Sequence, residues 1–409
     1  MNWRQNPQRV AWLILLASFL LCCVLAVAVP LGGRSYLLHA AEIKTAYVTA
    51  MAGTVQLRTP NSDDPVAVTD RRAAAEGSQV TTDNTARALL TIFADEAIVQ
   101  VLGTAQLFPD TIVRIERART PRFDWSSDPN QLAFTLQRGR VTIIPQSSAG
   151  RSVRVDLTTP QASISAGAGT FDIAIEKGET VVRVRLGAAQ VIAASTLVTV
   201  HGGERVSVRA GAPPDLPMTD ALNLVLDGSF EGRLTPTWQP FSNIEKGKGL
   251  QPGAATQEQS GGRQLLHLTR REEDGAPNEI GVQQAVNRDV QGYDSLVLRL
   301  DVRLLYQSVP GGGYRASEYP VMVRINYTDI YGKELPWVQG FYYMDLPARS
   351  TWDQPTGEKV PLGIWYTYES PNLFELLRDT RPARINSILI YAAGHDYDAQ
   401  VADVALTVR

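Results

Sequence analysis

An all-β protein carried on one N-terminal transmembrane helix is the fold class this sequence predicts, and three observations predict it. First, residues 138–211 read as short strands recurring about every eight to twelve residues, punctuated by glycine. Val153, Val155 and Leu157 share one face, with Arg154 and Asp156 opposite. Phe171, Ile173 and Ile175 alternate with Asp172 and Glu176 in the same way, and Val182, Val184 and Leu186 with Arg183 and Arg185. Strict period two means half-buried strands. Second, residues 11–29 carry no charge, and Ser18 is their only hydroxyl. Third, from Asn223 onward longer alternating strands appear, as at 293–303 and 321–329.

The elements follow in order. A tail of residues 1–10, expected in the cytoplasm, holds Arg4 and Arg9. Residues 11–29, at about 1.5 Å per residue, roughly span a hydrocarbon core of about 30 Å. Trp12 sits at the entry, and the cationic bias places the N-terminus inside and the rest outside the cytoplasm. A signal anchor is favoured because the apolar run exceeds a usual signal-peptide core. Ala26-Val27-Ala28 keeps cleavage and secretion as the alternative. Leu21 before Cys22 gives no lipobox. A connector (30–46) leads to a first β domain (47–211), in which 114–130 reads as a long polar loop. Gly139, Gly169, Gly178, Gly187, Gly202, Gly203 and Gly211 are expected at strand ends, where positive φ is cheap only for glycine. A linker (212–222) follows, in which Pro213, Pro214 and Pro217 cannot continue a sheet ladder. The last domain (223–409) holds twelve of the fourteen tyrosines, so a different surface begins there. A short helix is expected at 372–378, after Ser370-Pro371.

Composition limits the function. With 409 residues, 44% of them hydrophobic and 20% charged, the chain is long enough for two or three proper cores. A net charge of −3 gives no electrostatic footprint for nucleic acid. Cys22 and Cys23 are the only cysteines, so no disulfide framework exists outside the apolar run.

Four blocks carry a resemblance in the first domain: Ala52-Gly53-Thr54-Val55-Gln56-Leu57; Glu76 to Thr82 with Ala86 to Ile92; Leu136-Gln137-Arg138-Gly139-Arg140-Val141; and Thr158-Thr159-Pro160-Gln161-Ala162 leading to Gly169-Thr170-Phe171-Asp172-Ile173. Their order resembles the FecR-like domain, the extracytoplasmic β module of membrane-bound regulators. That resemblance implies a bacterial envelope protein and regulation of a sigma factor. Such regulators carry a substantial cytoplasmic segment, whereas about ten residues precede Ala11, too few to fold. Direct sigma-factor control is therefore the least favoured expectation. Asn223-Leu224-Val225-Leu226-Asp227-Gly228-Ser229-Phe230-Glu231, followed by Trp238, resembles the opening of galactose-binding-like jelly rolls and carbohydrate-binding modules. The resemblance covers 223–409 and implies a β-sandwich.

Sugar rings stack on exposed aromatics, so Trp337, Tyr331, Trp352 and Trp365 are candidate ligand residues, with core packing as the competing role. In related modules an ion joins the opening turn to the last strand. Asp227, Glu231 and Asp403 occupy the matching places, which suits a structural calcium, with a solvated turn and a hairpin charge as the competing role; no other cofactor is expected. No zinc-type histidine spacing, nucleophile elbow or phosphate loop occurs, and Gly167-Ala168-Gly169 has no following helix. Glu272, Glu273 and Asp274 form a charge run with Arg270 and Arg271 that reads as a solvated loop. The expectation is a non-catalytic envelope protein that binds, signals or scaffolds, its partner an envelope protein or a glycan. The alternative is a surface glycan-binding protein.

Overall fold

A computed structural model of the chain describes all residues except 1–6, 63, 98, 149, 244–252, 272–277, 349 and 352. The run Glu272, Glu273 and Asp274 lies outside the described residues. One helix, Pro7–His39, holds the apolar segment with its side chains exposed all round. A helix apolar on every face has no aqueous side and suits a lipid surround. By length and composition it can cross a membrane, starting at Ala11.

Among the described residues, the remaining regular structure is β, with two short helical exceptions. The expected helix at 372–378 forms as Leu373–Leu376, capped by the Asn372 side chain accepting from the Phe374 amide at 3.1 Å, with a 3-10 turn at Arg378–Thr380. The other is a four-residue stretch, Leu234–Thr237.

Among the described residues, the chain from Ala41 to Thr219 forms one 16-stranded sheet, the last strand being supplied by the linker, folded around its own core. Its spine is Asn130–Pro145, which pairs with four other strands. The expected faces hold: Val155, Leu157, Phe171, Ile173, Val182 and Val184 all enter the core. The expected loop at 114–130 is mostly strand, because Val113, Ile115 and Ala118 fit the core as Ile112–Pro121 pairs with the spine; only 122–129 is loop. The strands are also longer than the glycine spacing implies. Gly169 and Gly187 do not end strands; they face each other inside the hairpin Ser163–Glu176/Glu179–Ala193, at a bulge. A Cβ at Gly169 would stand 2.2 Å from the Leu186 carbonyl, so only glycine lets the two strands approach there.

The second segment is a sandwich of two six-stranded sheets. Trp238, Leu268, Leu298, Val323, Ile390 and Val401 belong to its separate core. Outside that core, Tyr319 is fully buried in a small cluster with Met322, Leu389, Tyr391 and Ala393 on the opposite face of one sheet. A Cβ on Gly312, Gly340 or Gly357 would lie 2.3, 2.3 or 2.6 Å from that side chain, and the Tyr319 hydroxyl donates to Gln354 Oε1 at 2.8 Å. The linker is fastened at both ends: Met218–Thr219 pairs with Glu204–Val208, and Leu222–Asn223 with Tyr397–Val408.

The two segments meet over the polar faces of their strands. Arg154 and Asp156 face water as expected, but Asp172, Arg183 and Asp301 are buried. Asp301 lies at the centre. It accepts from Arg263 at 2.8 Å, Thr367 Oγ1 at 2.7 Å and Thr170 Oγ1 at 3.2 Å, and pairs with Arg185 at 3.6 Å. Arg185 also reaches Asp403 at 3.0 Å. Nearby, Arg140 bridges Asp172 and Glu369, and Glu369 also takes Arg299 at 3.0 Å. Ile144 of the first segment packs with Leu265, Trp365 and Ala402 of the second. Removing the Asp301 carboxylate would leave two buried guanidinium groups short of a counterion, a defect that typically costs about 3–5 kcal/mol. Asp301→Ala should therefore lower the melting temperature sharply, and both segments should melt together in circular dichroism. A separate, unshifted transition for either segment would contradict this coupling.

Candidate ligand-binding cleft

The sandwich is open along one side, where each sheet ends in an edge strand. Glu334–Tyr342 pairs with Val321–Asp329 on its inner side, and on its outer side its described neighbour, Gly357–Lys359, runs only along its last three residues, from Gly340 to Tyr342. Its first half is a free edge, and Pro336, which has no N–H to give, sits there. Opposite, Tyr366–Glu369 closes the other sheet and, among the described residues, pairs only with Leu296–Gln307. Between the edges lies a cleft of about 650 Å³, within the range of small-molecule sites. Trp337, Pro336, Pro355, Pro371 and Leu376 give it an apolar wall. Gln339, Thr356, Glu358, Tyr368 and, from the first segment, Arg87 give it polar groups.

These groups are held in place. The Tyr368 hydroxyl donates to Gln339 Oε1 at 3.0 Å, while Gln339 Nε2 donates to the carbonyls of Gly340 at 3.1 Å and Thr356 at 3.0 Å. The Tyr366 hydroxyl donates to Glu358 Oε1 at 2.5 Å. Burial pushes the Glu358 carboxyl up, outweighing the Tyr366 hydrogen bond and the Arg87 charge that favour its ionised form. Burial also pushes the Tyr368 hydroxyl up. Glu369 behaves oppositely. Burial would raise its pKa, but Arg140 and Arg299 override that and hold it at about 2. The two carboxylates of the cleft thus differ: one is locked to two arginines, the other rests on a tyrosine.

The expected site residues part company. Trp337 lines the cleft, half-buried against the sandwich core. Tyr331 is 80% exposed on the turn after Asp329, away from the cleft. Trp365 is 1% exposed, under the Arg263 guanidinium at 4.8 Å between the two segments, so it is not a stacking platform; the ligand role expected for it is corrected to packing. Trp352 lies outside the described residues.

The three residues expected for calcium are brought together only in part. Asp227 Oδ2 is buried without a hydrogen-bond partner, as a ligand would be, and Val404 N donates to Gly228 O at 2.9 Å, so the turn does meet the last strand. But Asp403 is neutralised by Arg185, Glu231 is exposed, and Asp227 Oδ1 accepts the Glu231 and Gly232 amides at 3.0 and 3.3 Å. No group of three metal-ligating side chains is assembled among the described residues.

Sequence reasoning missed Arg87, Gln339, Thr356 and Glu358. Nothing local marks them, since the cleft draws on several strands and both segments. The one legible signal was the alternation Tyr366-Thr367-Tyr368-Glu369, which puts both tyrosines on one face.

No protein-family model matches the chain, and no curated protein sequence does either. Among solved structures it is similar to a protein assigned as an anti-sigma factor from Parabacteroides distasonis. That likeness has 17% identity and a TM-score of 0.25, and covers 34% of this chain and 59% of that one. The chain therefore spans little more than half the length of that relative. It is also similar to the family 11 carbohydrate-binding module of a cellulosomal cellulase of Clostridium thermocellum, at 14% identity and a TM-score of 0.27, over 46% of this chain and 94% of that one. A further similarity is to a carbohydrate-binding module specific for non-crystalline cellulose, at 13% identity and a TM-score of 0.22, over 41% and 86%.

The Glu358 shift has a pH signature. A carboxyl whose folded pKa is raised binds its proton more tightly in the native state. Its contribution to stability is present below the ordinary value of 4.5 and is lost as pH rises through the folded pKa. Glu358→Gln keeps an acceptor for Tyr366 and cannot ionise. Its melting temperature relative to the parent should therefore rise between about pH 4 and about pH 8. An equal difference at both ends would show that Glu358 does not titrate in this window.

Proposed function

We propose that this chain is a membrane-anchored, extracytoplasmic binding protein whose sandwich holds a glycan chain in the cleft beside Trp337. The observation that carries the reading is the pairing of an aromatic and proline wall with fixed hydroxyl, amide and guanidinium groups, the chemistry a sugar's apolar face and hydroxyl rim require. Binding without catalysis is supported by Glu369. Glycoside hydrolysis calls on two available carboxyl groups, and this one is held by Arg140 and Arg299. In this reading the N-terminal residues lie in the cytoplasm and both β segments outside it.

A signalling or scaffolding role is the second reading, favoured by Arg87. Because a group of the first segment lines the cleft, an occupant touches both segments at once. Binding would then be felt in the segment that joins the membrane helix.

Retention on a panel of immobilised polysaccharides tests the first reading. The parent chain should be retarded by at least one of them. Trp337→Phe and Arg87→Gln should each weaken retention about tenfold, the equivalent of ~1.4 kcal/mol, with the melting temperature changed by a few degrees at most. Retention that ignores both substitutions would place the glycan elsewhere, and no retention at all would leave the signalling reading ahead. A reporter fused to the C-terminus should be active only outside the cytoplasm; activity inside would reverse the topology.

A further inference from the structure

We propose that the loop at residues 122–129 seats in the lipid headgroup layer of the membrane crossed by residues 11–29, so that the first β segment stands on the bilayer in a fixed orientation. The inference rests on the membrane-anchor reading of the N-terminal helix. That helix runs for 33 residues, about 50 Å, well beyond a hydrocarbon core of about 30 Å. Counted from Ala11, the core ends near Pro30 to Gly32. Tyr36 then lies about 6–9 Å further on, roughly the depth of the headgroup layer.

The loop is tied to the helix at that level. Trp125 Nε1–H donates to the Leu37 carbonyl at 3.2 Å, and Ser126 Oγ–H to the Leu38 carbonyl at 2.6 Å. Arg122 donates to the Tyr36 hydroxyl at 3.1 Å, and His39 pairs with Asp128 at 2.8 Å. Phe123 stacks on Trp125 with ring centres 4.7 Å apart and meets Tyr36 edge-on at 6.4 Å. Arg151 clamps the loop from the sheet side through the carbonyls of Ser126 and Asp128. The loop is therefore a fixed aromatic cluster, yet Trp125 remains 65% and Tyr36 57% exposed.

Large amphipathic rings exposed beside the end of a membrane-length helix match the interfacial position that Trp and Tyr favour. Arg34 and Arg122 are exposed at the same level, where phosphate groups would meet them, with Asp124 as the opposing exposed charge. The occupant is thus a phospholipid surface, supplied by the membrane that the helix enters.

The test uses the full chain in vesicles of phosphatidylcholine and phosphatidylglycerol, with part of the phosphatidylcholine brominated on its acyl chains. Subtracting the emission of Trp125→Phe from that of the parent isolates Trp125, and Trp12→Phe isolates Trp12. Trp125 emission should fall as brominated lipid is added, and it should resist quenching by iodide in the water. Trp12 quenched by bromine while Trp125 is quenched only by iodide would overturn the proposal and leave the anchor standing, as would a Trp125 shielded from both by a protein neighbour. Neither residue quenched by bromine would remove the anchor and this inference together.

Discussion

The buried carboxylate of Asp301 is the interaction on which the rest of the arrangement depends. It takes hydrogen bonds or charge from both segments at once: Thr170 and Arg185 on one side, Arg263 and Thr367 on the other. Burying a charge is costly unless it is paired and its oxygens are satisfied, and here both conditions are met. The surroundings show how closely the charges are balanced. Burial alone would lower the Arg185 pKa, but Asp403 and Asp301 outweigh it and hold it raised. Asp172, just as buried, would be raised by burial and is instead held at about 2 by Arg140. An interface built this way contributes less net stability than an apolar one of equal area. What it does well is specify a single register, since any slip would bury a charge against the wrong partner.

That interface also explains what was legible in the sequence and what was not. Period two assigned the core faces of the first segment correctly, because inward positions such as Val155, Phe171, Val182 and Val184 answer to burial alone. The same pattern marks Asp172 and Arg183 as polar and therefore outward. Outward here means toward other parts of the chain, Asp172 against Arg140 and through it Glu369 of the second segment, Arg183 against Asp220 of the linker, and no local signal separates that from water. Trp365, which the sequence left between ligand face and core, is hidden for the same reason. The surface above it is covered by Ile144 and Arg263, distant in sequence. Boundaries failed differently: glycines at 169 and 187 read as stops, whereas they permit a bulge within two long strands.

The candidate cleft follows from edges. A closed sandwich side would bury Trp337 completely, and a wholly unpaired strand would leave it on an open surface. The three-residue pairing of Gly357–Lys359 with its neighbour produces the intermediate case, a half-covered ring beside fixed hydrogen-bonding groups. Since Arg87 comes from the other segment, the rigidity conferred around Asp301 also sets the shape of the cleft. Cleft and architecture are in this sense one problem, since Arg87 lies more than two hundred residues away in the chain from Trp337.

The enclosure of Tyr319 has an evolutionary corollary. Three glycines from separate parts of the chain each leave out the one atom that the ring occupies, and Gln354 receives its hydroxyl. None of these positions can vary alone. A methyl group at 312, 340 or 357 calls for a smaller side chain at 319, and a smaller residue at 319 opens a void that the glycines can then fill. In any lineage derived from this chain, the four sites should change as a set, with 354 losing its preference for an acceptor once the phenol is gone. That makes them a register of ancestry, readable without reference to any ligand.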